Sequence, residues 1–146
     1  MNNKLKSKTR LAAIQLVSQH LINNQDIEYI KDDFDKYYRN TIIDEGSEKI
    51  EYNLSFLSKL ISYFKITDFK TLYKEINSKI KFDRKFEKWD NIIKAIILVS
   101  ISEIRNSSNQ KIKIILNDYI EISKSFVNIN ETKLINSILD KLINEK

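Results

Sequence analysis

Residues 89–104 read WDNIIKAIILVSISEI and include the most apolar run of the 146-residue chain, at positions 92–101. Wound at 3.6 residues per turn, this segment places isoleucine, leucine or valine on nearly every side and keeps no face for water. A helix of that kind usually lies at the centre of a bundle. Its β-branched residues also suit a strand, but no second segment offers itself as a partner strand. The stretch therefore predicts a buried central helix.

The same run is too short and too polar to cross a membrane. It is interrupted by Lys94 and Ser100 and has about half of the ~20 residues that a spanning helix needs. The first ten residues are basic but lack the apolar core and the cleavage site of a signal peptide. We expect a cytoplasmic protein without a membrane partner.

Amphipathic helical spacing continues on both sides of this segment. Four segments precede it, the first over about residues 9–23, and two follow it. Six or seven helices with short connections and no internal repeat predict a single all-α domain over residues 1–146. The inward positions of the flanking segments are, in chain order, Ala13, Leu16, Val17 and Leu21; Ile27, Ile30, Phe34, Tyr37 and Tyr38; Ile50, Leu54, Leu57, Ile61 and Phe64; Phe69, Leu72, Tyr73, Ile76 and Ile80; Ile112, Ile115, Leu116, Tyr119, Ile122 and Phe126; and Leu134, Ile135, Ile138, Leu139 and Leu142.

Short polar side chains predict where several helices begin. Such residues accept hydrogen bonds from the backbone N–H groups of a first helical turn, which have no partner inside the helix. The only glycine, Gly46, lies in the turn at residues 44–47 and can adopt the positive φ that ends a helix. The predicted caps are Asp26, Ser47, Thr67 or Asp68, and Asn130.

The composition excludes most enzyme classes. The chain has no cysteine, one histidine and one glycine, which excludes thiol nucleophiles, histidine pairs, P-loops and dinucleotide-binding loops. His20 lies at the edge of an apolar face with no acid within four residues, a poor arrangement for a general base. We expect neither an enzyme nor a cofactor, a metal ion or a small-molecule substrate.

Charge is distributed unevenly along the chain, whose net charge is +5. Residues 1–10 carry four cations and no acid, whereas residues 26–51 carry nine acids against four cations. We interpret residues 1–8 as a flexible basic arm that leads into the first helix. Its charges suit the phosphates of a single strand and predict a slope of about −3 in log affinity against log salt; the alternative is a solvated tail. The four cations are Lys4, Lys6, Lys8 and Arg10.

Two further residue groups are assigned to structure or to partner contact. Asp32, Asp33 and Asp35 lack the glycine and the distal glutamate of a calcium loop, and a helix spreads them around its axis. We interpret them as a solvated face or a surface for a protein partner. The aromatic residues fall mainly on inward positions, which predicts core packing for Phe34, Phe64, Phe69, Phe126 and Trp89.

Motifs near both ends of the chain carry a family resemblance. Residues 6–16 read KSKTRLAAIQL, and residues 94–104 read KAIILVSISEI. Residues 117–126 read NDYIEISKSF and are followed, after a short linker, by KLINSILDK at 133–141. These four segments resemble motifs of the NusB transcription antitermination proteins. Residues 6–16 resemble the family's arginine-rich first helix, and residues 94–104 resemble its Lys/Arg-Ala-Ile-Leu-Arg…Glu-Leu helix. Residues 117–126 resemble its Asn-Glu…Glu-Leu-Ala-Lys-x-Phe motif, and residues 133–141 resemble its Lys-Phe-Val-Asn-Gly-Val-Leu-Asp-Lys motif. The likeness covers about residues 6–22 and 89–142.

The resemblance implies two packed three-helix bundles and a function without catalysis. NusB proteins bind the single-stranded boxA element of nascent ribosomal RNA transcripts together with NusE, a small-subunit ribosomal protein. The pair helps RNA polymerase to read through terminators. The implied partners are therefore boxA RNA, NusE and the RNA polymerase antitermination complex. RNA cytosine methyltransferases contain a domain of this fold, but their chemistry needs a glycine-rich cofactor loop and a cysteine, which this chain lacks.

Carried over position by position, the resemblance implies that Lys6, Lys8 and Arg10 contact RNA phosphates and that Gln15 also reaches RNA. Asn130 and Lys133, at the start of the last helix, are expected on the same RNA-facing side. This interpretation requires that the two helix starts, distant in sequence, meet in space and form one cationic groove.

In the family NusE docks on a different face of the protein. Our candidates for that face are the acidic cluster Asp32, Asp33 and Asp35 and the stretch at residues 84–94, with Arg84 and Lys88 as its contact residues.

The chain departs from the family pattern at several RNA-facing positions. Lysine replaces arginine at positions 6 and 8 and loses the bidentate guanidinium. Ser18 replaces a tyrosine of the first helix, Leu134 replaces an aromatic residue, and the loop before Lys111 lacks the family's Val-Pro. These changes keep an alternative open, namely a protein-interaction module of the NusB fold without specific RNA binding.

Overall fold

The structure is a computed structural model that describes residues 1–42, 49–80 and 83–144. Within these ranges it contains seven α-helices and no strand, which confirms the predicted all-α class. Two 3₁₀ turns precede α5 and α6, and a π turn at Phe34–Tyr38 directly follows α2. The helices are α1 (Asn3–Asn23), α2 (Ile27–Asp33), α3 (Leu54–Ile66), α4 (Phe69–Lys79), α5 (Asn91–Arg105), α6 (Ile112–Ser123) and α7 (Ile129–Asn144).

Helix α5 is the predicted central helix. Every residue from 93 to 104 is buried, and α5 packs against α1, α3, α6 and α7. Two three-helix groups, α1–α3–α5 and α5–α6–α7, therefore share this helix, and α4 packs on α7. The polar side chains inside it have partners: Ser100 donates to the Ile96 carbonyl, and Lys94 donates to the Glu87 carbonyl. No described helix combines the length and the apolar character needed to span a membrane.

The first helix begins six residues before the predicted start at residue 9. Asn2 is extended and its side chain accepts a hydrogen bond from the Leu5 N–H at 2.8 Å, which caps the helix at this earlier point. The prediction of an arm that precedes the helix is therefore wrong, because residues 3–8 form the first turns of α1. Their side chains are consequently held at fixed positions around the helix axis.

Two other helix starts also differ from the predictions. Helix α3 begins at Leu54, because Asn53 caps it by accepting from the Phe56 N–H at 2.8 Å, whereas Ile50 pairs through its backbone with Thr41. The predicted cap Ser47 and the turn at 44–47 lie outside the described residues. The last helix is capped by Asn128 rather than Asn130, through reciprocal hydrogen bonds in which Asn128 and Glu131 each accept from the other's N–H. The caps Asp26 and Asp68 are confirmed.

Tyr37 and Tyr38 were predicted to face the core, and this is wrong. They are 68% and 45% exposed. The prediction assumed that α-helical spacing continues from Ile30, but the Arg39 N–H donates to the Phe34 carbonyl five residues earlier. A π turn takes one more residue than an α turn, so the side chains that follow are rotated away from the core.

A buried ion cluster holds the start of α1 against α5 and α6. Arg10 is 7% exposed. Its Nε and Nη2 donate to the two carboxylate oxygens of Glu103 at 2.9 and 2.8 Å, and Nη1 donates to Asp118 at 2.7 Å. The Tyr119 hydroxyl also donates to Glu103, and Ser7 donates to Asp118 at 2.6 Å. Helix α1 is thus joined, at one guanidinium group, to two helices that lie about a hundred residues later in the chain.

The charges of the ion cluster compensate one another, because Arg10 pairs with both Glu103 and Asp118. Burial alone would lower the pKa of Arg10, but its hydrogen bonds and the charges of Glu103 and Asp118 raise that pKa above its ordinary value. Burial, together with the Glu103 carboxylate, raises the pKa of Tyr119, which keeps its phenol protonated as a donor. The guanidinium also lies over the rings of Phe56 and Tyr119, 5.4 and 5.6 Å from their centroids.

Replacement of Arg10 by methionine is expected to destabilise the protein strongly. The change leaves Glu103 buried without its cation, and the loss of one member of a buried ion pair costs about 3–5 kcal/mol. For a chain of this size the unfolding temperature falls by on the order of 10 °C, measurable by circular dichroism.

The matched control is Arg105→Met, which removes the half-exposed ion pair with Glu75 at 2.8 Å. An exposed pair contributes about 0–1 kcal/mol, so this variant should unfold close to the wild type. Adding Glu103→Leu to Arg10→Met should restore part of the lost stability, because the uncompensated charge is then removed. Equal stability of the Arg10 and Arg105 variants would contradict the structural role of Arg10.

Candidate nucleic-acid interface

One side of α1 carries exposed and partly exposed residues along the length of the helix. The positions on it recur at helical spacing and are Lys4, Lys8, Leu11, Gln15, Ser18 and Ile22, which we name the α1 stripe. Lys4 and Gln15 are exposed, and Lys8 is partly exposed. Three of the predicted RNA-binding residues thus lie in one line, which a single extended strand can follow.

An acid lies close to the cationic end of the α1 stripe. The Lys8 ammonium is 3.9 Å from a carboxylate oxygen of Glu51, which precedes α3. Both residues line a shallow cleft of about 250 Å³. Glu51 therefore reduces the positive potential at Lys8. The cleft is lined by Asn2, Lys4, Leu5, Lys8 and Glu51.

Lys6 and Arg10 occupy a different side of α1. They are four residues apart and therefore share a face, and that face continues into the buried positions of the helix. Lys6 is partly exposed because the core ends before the first turn. Arg10 is buried, and all three of its donor nitrogens are bound to carboxylates. The expectation that Arg10 contacts RNA phosphate is therefore wrong, since the guanidinium has neither exposure nor unused charge.

The start of α7 presents the second set of predicted RNA-binding residues. Asn130 and Lys133 are both exposed and, three residues apart, lie on neighbouring parts of the helix surface. Ile129, in the same first turn, is 71% exposed. Because Asn128 provides the cap, the Asn130 side chain is not needed to start the helix.

Helix α6 lies between the two helix starts. The first turns of α1 bind α6 at Asp118, whereas the start of α7 meets it at Ser123, whose hydroxyl lies 3.4 Å from that of Thr132. These two α6 positions are five residues apart, which is about 7.5 Å along the axis. They lie on opposite edges of α6, and the solvent-facing arc between them carries Asn117, Glu121 and Lys124. The two helix starts therefore do not form a single groove. The exposed arc of α6 lies between them.

The predicted partner-binding residues lie on two separate elements. Asp32 is exposed on α2, and Asp33 is partly exposed. Asp35 is bound within the molecule, because it accepts from Lys31 and from the Tyr52 hydroxyl, both at 2.8 Å. Arg84 and Lys88 are exposed in the segment after α4. Since α2 packs on α1 and the segment around residues 86–88 packs on α4, these two sets are positioned by different helices.

Sequence reasoning missed the partners of Arg10. A signal was present, because Glu103 is an acid inside an otherwise apolar helix, and a buried carboxylate requires a cation. The identity of that cation depends on long-range packing and cannot be read from spacing. Among the described residues, no group of three histidine or acidic side chains is placed to hold a metal ion, and no buried side-chain nitrogen or oxygen lacks a hydrogen bond.

Comparison with known proteins agrees with this architecture. The family model of the NusB family matches residues 7–144. The chain is 28% identical to the transcription antitermination protein NusB of Rickettsia massiliae (strain Mtu5), and the match covers 99% of this chain and 96% of that protein. It is also 28% identical to the NusB proteins of Rickettsia felis (strain ATCC VR-1525 / URRWXCal2), with the same coverage, and of Rickettsia bellii (strain OSU 85-389), with 99% and 94% coverage. The chain belongs to the NusB family.

Proposed function

We propose that this protein is a transcription antitermination factor that binds the boxA element of nascent ribosomal RNA transcripts together with NusE. It acts without catalysis, in the cytoplasm, as part of the RNA polymerase antitermination complex on ribosomal RNA operons. The observation that carries the proposal is the α1 stripe, which aligns Lys4, Lys8 and Gln15 on one exposed helix side of a NusB-family protein.

The RNA strand follows the α1 stripe and then crosses α6 toward the start of α7. Lys4 and Lys8 contact phosphates, which supply affinity but no sequence information. Gln15, two turns beyond Lys8, has both a donor and an acceptor and reaches a base edge or a ribose. Lys133 and Asn130 contact the strand on the far side of α6.

Two carboxylates restrict the path of the strand. Glu51 lies beside Lys8, and Glu121 lies on the exposed arc of α6. Phosphates avoid both because like charges repel at short range. The strand therefore turns its bases rather than its phosphates toward the middle of α6, where Asn117 is exposed and offers amide hydrogen bonds. Phosphate contacts are confined to the two ends of the surface.

Arg10 contributes indirectly. By binding Glu103 and Asp118 it sets the position of the first turns of α1 relative to α6. Lys4 and Lys8 are thereby held before RNA arrives, which reduces the entropy lost on binding.

The alternative function is a protein-interaction module of the NusB fold without specific RNA binding. It is favoured by the burial of Arg10 and by the ion pair between Lys8 and Glu51, which together leave fewer exposed cations on α1 than the sequence contains. The two functions differ in whether the protein prefers boxA RNA over a scrambled strand of the same composition.

Charge reversal at Lys4 and Lys8 is expected to weaken boxA binding at least tenfold, because both cations of the α1 stripe are replaced by acids that repel phosphate. The protein should remain folded, since acids at a helix start interact favourably with the helix dipole. Fluorescence anisotropy of a labelled boxA strand, with and without NusE, measures the change.

The matched control reverses two exposed lysines on α4, Lys70 and Lys74, which carry the same net change on another helix. It should bind boxA within about twofold of the wild type at moderate salt. Equal loss in both double variants would mean that only the overall charge matters. No preference of the wild type for boxA over the scrambled strand, even with NusE, would favour the alternative function.

The salt dependence of boxA binding should match three phosphate contacts, fewer than the sequence suggests, because Lys6 and Arg10 lie on the side of α1 that faces the core. Lys4, Lys8 and Lys133 predict a slope of about −2 in log affinity against log salt, at about −0.7 per phosphate of a single strand. In Lys4→Gln/Lys8→Gln the slope should fall to about −0.7. An Arg10→Met protein that remains folded should keep the wild-type slope, and a slope reduced by Arg10→Met alone would contradict its assignment to the interior.

A further inference from the structure

A cavity of about 350 Å³, here named the α5–α7 cavity, lies where these two helices end. Its walls also include residues of α4 and of the first turn of α6, and none of the RNA-binding or partner-binding residues discussed above lines it. Cavities of this size, with apolar walls and a few polar groups, are typical of small-molecule sites. The aliphatic side chains that line it are Ile101, Ile104, Ile112, Leu142 and Ile143.

The aliphatic walls favour a hydrocarbon ligand. Ile101, Ile104 and Leu142 are 1%, 3% and 2% exposed and belong to the core, whereas Ile112 and Ile143 are partly exposed. Water beside such walls has few hydrogen-bond partners, so an apolar group that displaces it gains free energy. A sugar or a nucleotide would leave its own polar groups without partners at the same walls.

A half-exposed arginine lies at the rim of the α5–α7 cavity. Arg105 is the last residue of α5. Its Nη2 donates to both carboxylate oxygens of Glu75 on α4, at 2.9 and 2.8 Å, and to the Leu142 carbonyl on α7 at 3.4 Å. The guanidinium is therefore held at a fixed position between three helices before any ligand binds, which reduces the entropy lost on binding.

Arg105 retains donors for an anionic group. A guanidinium group carries five N–H donors, and all the hydrogen bonds of Arg105 use Nη2. Toward the described part of the chain, its Nε and Nη1 form no hydrogen bond. A carboxylate that accepts from one of these nitrogens forms a charge-assisted hydrogen bond, which is stronger than one between neutral groups.

Glu75 compensates only part of the charge of Arg105. Its carboxylate also binds Lys79, at 3.2 Å. Burial alone would raise the pKa of Glu75, but the hydrogen bonds from Arg105 and Lys79 lower that pKa below its ordinary value, so the carboxylate is ionised and shared at neutral pH. The positive potential that remains at Arg105 favours an anionic ligand over a neutral or a cationic one.

The volume sets the size of the ligand. A volume of about 350 Å³ equals roughly a dozen units of the ~30 Å³ that a water molecule occupies in the liquid. A chain of about ten carbons with a carboxylate has a similar number of non-hydrogen atoms. Shorter chains leave part of the apolar wall in contact with water, and longer chains extend into solvent.

We propose that the α5–α7 cavity binds a medium-chain aliphatic carboxylate. The hydrocarbon chain lies against Ile101, Ile104 and Leu142, and the carboxylate accepts a hydrogen bond from Nε or Nη1 of Arg105. This binding function is separate from the proposed role in antitermination and does not rest on it.

The first test is isothermal titration calorimetry of the full chain with hexanoate, octanoate, decanoate and dodecanoate. Each methylene added up to decanoate should tighten binding about three- to fourfold, because it buries one more CH₂ group. The two further methylenes of dodecanoate should gain less than twofold each. Octylammonium has the chain of octanoate with the opposite charge and should bind at least tenfold more weakly.

The second test uses variants. Arg105→Met should weaken octanoate binding at least tenfold, since a hydrogen bond to a charged group is lost. Its matched control is Arg84→Met, which removes an exposed arginine outside the cavity. Ile143→Trp fills the cavity and should abolish binding of every chain length. Ile114→Trp, at a residue of α6 that is 70% exposed, is its control. Both controls should bind octanoate within twofold of the wild type.

Three results would overturn the proposal. Equal binding of octanoate and octylammonium, or unchanged binding in Arg105→Met, would exclude a carboxylate at Arg105. Octanoate binding that survives Ile143→Trp would place the ligand elsewhere. No binding of any chain by the wild type at millimolar concentration would show that the cavity takes no such ligand. Circular dichroism checks that each variant is folded, and the chain-length series needs only the wild type.

Discussion

The ion cluster around Arg10 is the interaction on which the arrangement of the molecule depends. A single guanidinium joins the first helix to Glu103 of the central helix and to Asp118 of α6. The two acids lie 93 and 108 positions after Arg10, so local sequence cannot bring them to it. Because the charges are buried, the cluster tolerates little displacement: each carboxylate moved away from Arg10 would be left uncompensated in the core. This constraint sets the orientation of α1 and therefore the positions of the side chains on its solvent-facing side.

The cluster also divides the cations of α1 by role. Arg10, and Lys6 one turn before it, lie on the side that faces the core, whereas Lys4 and Lys8 lie on the solvent side. A basic segment that looks uniform in sequence therefore has one charge that holds the fold, one that is paired with Glu51 at the surface, and one, Lys4, that is exposed. The acidic residues are divided in the same way. Asp35 is bound within the molecule, while Asp32 is exposed and Asp33 is partly exposed. The two exposed surfaces that result have opposite charge and lie on different elements.

Features governed by local spacing were predictable from the sequence. The central helix, the all-α class and the caps Asp26 and Asp68 follow from hydrophobic periodicity and from short polar side chains at helix starts. The starts of α3 and α7 were misplaced because several asparagines and serines precede each helix, and the choice of Asn53 and Asn128 depends on the surrounding structure. The exposure of Tyr37 was missed because a π turn breaks the period on which the prediction relied. The burial of Arg10 was missed because arginine is normally exposed, and only tertiary contacts reveal otherwise.

A nuclear magnetic resonance titration of the full chain with boxA RNA tests the arrangement most directly. Backbone amide shifts should change along the α1 stripe and in the first turns of α7, and should be joined by changes on the exposed arc of α6, while Tyr29 and Tyr37 stay unperturbed. Shift changes confined to α2 and the π turn at Phe34–Tyr38, or equally large changes with a scrambled strand, would contradict it.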